Sequence, residues 1–102
     1  MDDLDSIRHL CRNCQIKWTL HALKRIRQRK IKSKEVIHAI LNGEIIQKRQ
    51  NDRTYPSYLI FNSDCLYPLH IVVGMDIDLL YIITAYIPTL NDWEDDYKTR
   101  RR

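Results

Sequence analysis

The sequence predicts an α+β domain, with N-terminal helices packed on a four-stranded antiparallel meander sheet. Three observations predict it. Apolar residues recur at helical spacing up to Gly43 and at strand spacing after it. The strand-like segments are joined by links too short for the dozen-residue crossover that parallel pairing needs. The 102 residues, 44% hydrophobic and 29% charged, form one ordinary globular core and leave no room for two, so residues 1–102 read as a single domain. Helices followed by strands pack on one sheet face and leave the other free.

Each element follows from local chemistry. Asp2 to Arg12 reads as a short helix within an N-terminal segment, residues 1–15. Leu4, Ile7 and Cys11 share a stripe, and the acids sit in the first turn, where the helix dipole favours them. Ile16, Trp18 and Leu20 alternate with Lys17 and Thr19 as a brief strand. Thr19 then caps a helix running to about Lys30. Ser33 caps the next helix, with Val36, Ile37, Ile40 and Leu41 on its apolar stripe, and Gly43 ends it. Strands follow at Glu44 to Arg49, Tyr58 to Asn62, Leu69 to Met75 and Leu79 to Ile87. A turn-rich link spans Asn51 to Pro56, and Asp76-Ile77-Asp78 makes a tight connection. Pro88 stops the last strand. Trp93 and Tyr97 sit among acids in the tail, which ends Arg100-Arg101-Arg102 and is either a docked helical turn or a frayed end.

Charge narrows the function. Seventeen Lys and Arg against 13 Asp and Glu give +4, but the cations are not spread evenly. Lys17, Lys24, Arg25, Arg27, Arg29, Lys30, Lys32 and Lys34 follow one another with no acid between them. Such a region attracts phosphates through counterion release, and Lys17, Lys24, Arg27 and Lys30 are the expected nucleic-acid contacts. Its plain alternative is a solvated helix face. No uncharged apolar run approaches the roughly 20 residues of a membrane helix, and no charged start leads into an apolar stretch, so a cytoplasmic location is expected.

Metal and redox chemistry find little support. Three cysteines are an odd number, read as reduced thiols. Cys11 and Cys14 form a C-x-x-C, yet tetrahedral zinc needs four ligands and no second pair exists, so no metal and no cofactor are expected. There is no phosphate-binding glycine loop, H-E-x-x-H or G-x-S-x-G.

One constellation carries chemistry. His21, Arg25 and Arg29 lie at i, i+4 and i+8, beside a face of Ala22, Leu23 and Ile26 expected to be buried. Stacked cationic groups repel unless an anion sits among them, and guanidinium forks match phosphate oxygens. The plain alternative pairs these arginines with Glu35 or Glu44. Among the strands, His70 and Val72 share one face. Ile82, Thr84 and Tyr86 are expected to share another, opposite Tyr81, Ile83 and Ala85. A base, phosphate clamps and a phenol are what a metal-free ribonuclease needs.

Trp18-Thr19-x-His21-Ala22-x-x-Arg25-x-x-x-Arg29, Leu69-His70-Ile71-Val72-Val73 and Ile83-Thr84-Ala85-Tyr86-x-Pro88, with Trp93 and Arg100-Arg101, resemble a bacterial family described as a domain of unknown function. That family is placed near the RelE, MqsR and BrnT toxins of toxin–antitoxin modules. The resemblance spans about Ile16 to Arg102 and implies a RelE-like fold. It also implies a type II toxin that cleaves mRNA without a metal, in some cases on the ribosome. A cognate antitoxin, in some members of the zinc-finger MqsA (YgiT-type) kind, is the implied partner. The motif positions are His21, Arg25, Arg29, His70, Thr84 and Tyr86. In the expected reaction His70 or His21 takes the 2′-hydroxyl proton, and Arg25 and Arg29 stabilise the phosphoryl oxygens. Tyr86 positions the phosphate or protonates the leaving group, with Thr84 as support. The alternative is a non-catalytic module of the same fold that binds nucleic acid or protein.

Overall fold

In a computed structural model, residues 2–50 and 55–102 are described. Most of the link expected at Asn51 to Pro56 lies outside them. The order is α1 (Asp3–Arg12), β1 (Ile16–Trp18), α2 (Leu20–Gln28), α3 (Ser33–Asn42), β2 (Glu44–Arg49), β3 (Ser57–Asn62), β4 (Leu69–Met75) and β5 (Leu80–Tyr86).

The α+β class holds, but the sheet has five strands and is mixed. Its order is β1-β5-β4-β3-β2. Strands β2 to β5 pair antiparallel, as the short links require. The correction is β1, which lies parallel to β5 with Ile16 opposite Leu80 and Trp18 opposite Ile82. More than half of the chain separates these two strands, so connection length, which decides pairing between neighbours, says nothing about them.

Local chemistry sets the ends of the helices. The Asp2 carboxylate accepts from Asp5 N–H at 2.8 Å and caps α1. Thr19 caps α2, accepting from Ala22 N–H at 3.0 Å, while its own hydroxyl donates to the Ile82 carbonyl at 2.9 Å. One side chain thus starts the helix and ties it to β5. Leu20, expected in the strand, is instead the first residue of α2 and 85% exposed. The cap of α3 is Lys32 and not Ser33: Glu35 reaches back to accept the Lys32 N–H at 2.9 Å. Gly43 ends α3 for a reason other than a left-handed turn, since its φ is −92°. A Cβ there would lie 2.5 Å from the carbonyl oxygens of both Ala39 and Phe61, so glycine is needed for close approach.

The helices cover one sheet face. Ile7, Val36, Ala39 and Ile40 pack on Ile60, Ile71, Val73, Leu80 and Ile82. Leu23, expected with this core, is 44% exposed. Burying each large aliphatic side chain contributes about 1.5–3 kcal/mol, and this layer is the main source of stability.

A groove on the open sheet face

The opposite face can be read from strand register. Phe61 of β3, His70 of β4 and Tyr86 of β5 stand in one row across the sheet. Leu59, Val72 and Thr84 form the next, and Ser57, Gly74 and Tyr81 the third. From β2, Glu44, Gln47 and Arg49 extend these rows, and Lys17 of β1 lies beside Tyr81. The alternation expected on β5 fails midway. Ile82 and Ala85, three apart, are both in the helix-covered core, because the register shifts where Val72 pairs with Thr84 and Val73 with Ile82. Ile83 is the extra residue of this β-bulge. Thr84 and Tyr86 therefore share the open face with Tyr81, and Ile82 does not.

The C-terminal tail closes one end of this face. It is neither frayed nor helical: Trp93 is 2% exposed and forms an isolated β-bridge with Arg100. The Trp93 ring meets the His70 ring edge-on at 4.4 Å, and Arg100 lies over the Trp93 ring at 4.8 Å. Lys98 pairs with Glu44 at 3.0 Å and sits over Phe61. Together Phe61, His70 and Trp93 form a small second core on the open face.

His70 is fully buried within it. Its Nε2 lies 2.7 Å from the Tyr97 carbonyl, which only accepts, so Nε2 carries the proton. Nδ1 is then bare and accepts from the Tyr86 hydroxyl at 3.1 Å. Burial pushes the imidazole pKa below its ordinary value, and the Arg100 charge adds to this, against the opposing bond to Tyr97. His70 is a neutral, enclosed group. Burial also raises the Tyr86 phenol above its ordinary range. The Asp92 charge works in the same sense, while Arg100 and Arg29 work against it.

The expected residues separate into two groups. Arg29, His70, Thr84 and Tyr86 come together around the end of β5, where Arg29 donates to the Ala85 carbonyl at 2.7 Å. His21 and Arg25 stay on α2. His21 is exposed, and Arg25 donates to Gln28 of the same helix at 2.9 Å. The three-membered stripe is therefore not one phosphate clamp. The ion-pair alternative is equally absent among the described residues: Glu35 holds the Tyr67 hydroxyl and Glu44 holds Lys98. Lys17, Lys24, Arg27 and Lys30 are all exposed.

A cavity of about 190 Å³ opens between the tail and the middle rows. Gln47, Arg49, Ser57, Tyr86 and Arg100 line it, over a floor of Leu59 and Val72. Sequence reading missed Arg49, Gln47, Ser57 and Arg100. The available signals were the polar i, i+2 spacing of Gln47 and Arg49 and the buried-type Trp93 just before a run of arginines. Above the cavity, the Tyr55 and Tyr81 rings stack 5.1 Å apart and nearly parallel. Tyr55 lies over Gly74, where a Cβ would come within 2.4 Å of its ring.

Among the described residues, no three His, Cys, Asp or Glu side chains come together as metal ligands, and no helix is long and apolar enough to cross a membrane. Cys11 is buried and Cys14 and Cys65 are not, all as free thiols.

The fold and groove define a small α+β domain with a mixed open sheet and a cationic pocket on its uncovered face. The chain belongs to the family described as a domain of unknown function, DUF4258, whose model matches residues 18–87. That span runs from the end of β1 through β5 and leaves out α1 and the tail. No curated protein and no solved structure matches the chain.

Proposed function

We propose that this protein is an RNA-binding module that holds a single strand on its open sheet face. The observation that carries this reading is the groove lined by Arg49 and Arg100, with no carboxylate in its lining among the described residues, beneath the stacked Tyr55 and Tyr81. Proteins that bind single strands combine a cationic groove with aromatic faces. The exposed Lys17, Lys24, Arg27 and Lys30 add longer-range attraction. Fluorescence anisotropy with a short unstructured RNA, titrated with salt, tests the reading. Affinity should fall steeply as salt rises, and the RNA should be recovered intact. Affinity that does not change with salt would overturn it.

A second reading is the RelE-like toxin, a metal-independent endoribonuclease held in check by an antitoxin. One observation favours it. The Tyr86 hydroxyl donates to His70 Nδ1, so Tyr86 can take the 2′-hydroxyl proton while its own passes to His70. The 2′-oxygen then attacks phosphorus, the P–O5′ bond breaks, the 5′-oxygen takes back the proton from Tyr86 as His70 returns its own to Tyr86, and Arg29 and Arg100 stand near the developing charge. Burial of His70 disfavours the imidazolium this relay creates, which is why binding is the preferred reading. Products with 2′,3′-cyclic phosphate ends, lost in Tyr86→Phe, together with growth arrest on induction, would establish cleavage.

A further inference from the structure

We propose that the cavity between Arg49 and Arg100 is a subsite for a terminal phosphate monoester, so that the protein recognises a phosphorylated RNA end. This rests on the RNA-binding reading and adds the chemical class of the group that fills the pocket. Three observations carry it.

The first is size. A volume of about 190 Å³ corresponds to about six waters at roughly 30 Å³ each. It lies below the 300–1,000 Å³ of pockets that enclose drug-sized ligands, and a phosphate with part of a sugar fits it.

The second is charge. Arg49 from β2 and Arg100 from the tail both line one small space, and Ser57 and Gln47, residue types that can donate, line it with them. A phosphate monoester carries roughly −1.5 to −2 at neutral pH, against −1 for an internal diester, and offers three free oxygens. Two guanidinium forks match the monoester better. The Tyr86 hydroxyl donates its hydrogen bond to His70 and so is not counted among the donors to these oxygens. Asp92 is the nearby acid whose charge reaches Tyr86, but it does not line the pocket.

The third is topology. Below the cavity the Trp93–Arg100 bridge and the Lys98–Glu44 pair cross the sheet at the Phe61–His70–Tyr86 row. A strand laid from the Tyr55–Tyr81 end meets this barrier at the pocket. The groove is a dead end, which suits a chain terminus and obstructs a continuous strand.

The test compares one RNA sequence bearing a 5′-phosphate, a 3′-phosphate or only hydroxyl ends, by anisotropy at fixed salt. One phosphorylated end should bind at least about tenfold tighter than the hydroxyl form, and millimolar inorganic phosphate should erase that advantage. Arg49→Gln and Arg100→Gln should each abolish the preference and leave the weaker, salt-dependent binding. Thermal melts verify their folding. If Arg100→Gln loosens the tail, the exposed Arg49→Gln decides alone. Equal affinity for all three RNAs overturns the subsite and leaves RNA binding standing. Binding to none of them overturns the RNA-binding reading itself.

Discussion

The two faces of the sheet are built from different chemistry. Under the helices, Ile40, Ile60, Ile71, Leu80 and Ile82 are completely buried and interchange no specific hydrogen bonds through their side chains. On the open face, Phe61, His70 and Trp93 are also buried, yet the contacts are directional: Tyr86 to His70, His70 to the Tyr97 carbonyl, Arg100 over Trp93. The first face holds the fold by area removed from water. The second places a tail, and with it Arg100, beside a groove. A polar cluster of this kind is demanding, because any member left without its partner is costly in a low-dielectric setting. Its reward is position: a buried neutral imidazole fixes where both Tyr86 and the Tyr97 backbone sit.

The contrast can be broken at its strongest point first. Ile71→Ala, on the helix-covered face of β4, should cost about 2–5 kcal/mol in urea unfolding, through lost burial and the cavity left behind. Tyr86→Phe, on the other face, removes the donor to His70 Nδ1, leaves that buried acceptor bare, and should cost about 1–3 kcal/mol. A loss as large as that for Ile71→Ala would mean the open face is also a main source of stability.

His70 supplies a pH test. Its pKa is held below the ordinary 6.5 when folded, so the unfolded chain takes up the proton first as pH falls. The stability it contributes is fully present above pH 6.5. It is lost as pH falls through 6.5 toward the lower folded value. The melting temperature should therefore drop between pH 7 and 5, and His70→Asn should flatten that drop. An equal slope in wild type and variant would show that the imidazole is not enclosed.

The smallest stability effect belongs to the residue with the largest proposed effect on binding. Arg49→Gln should change stability by no more than about 0.5 kcal/mol, because the side chain is exposed. It should also reduce the salt dependence of RNA affinity by about 0.7 in log–log slope, the contribution of one phosphate contact on a single strand. A slope equal to that of wild type would place the phosphate elsewhere.

Much of this architecture was legible in the sequence. The helices and the four antiparallel strands follow from periodicity and short links, and Thr19 was identifiable as a cap. What stayed hidden depended on distant partners. The parallel seat of β1 is a contact between Ile16 and Leu80, which no local pattern encodes. The bulge at Ile83 broke the expected partition of β5: Thr84 and Tyr86 still share a face opposite Ala85, but one extra residue puts Tyr81 with them and Ile82 against them. Arg29, Thr84, Tyr86 and His70 were singled out from the strands and the arginine spacing and lie around the end of β5, but of these only Tyr86 lines the groove. His21 and Arg25 were grouped with them because helical spacing reports a shared stripe, not what that stripe faces. Arg49 and Arg100 come from an edge strand and a tail, and only the fold brings them to one pocket.

The most direct test is an amide-resolved NMR titration of the protein with a 5′-phosphorylated RNA oligonucleotide. Shifts should concentrate at Gln47, Arg49, Ser57, Tyr86 and Arg100, with Ile40 and Val36 on the covered side unmoved. Perturbations confined to the outward surface of α2, or absent throughout, would contradict the assignment of binding to the open face.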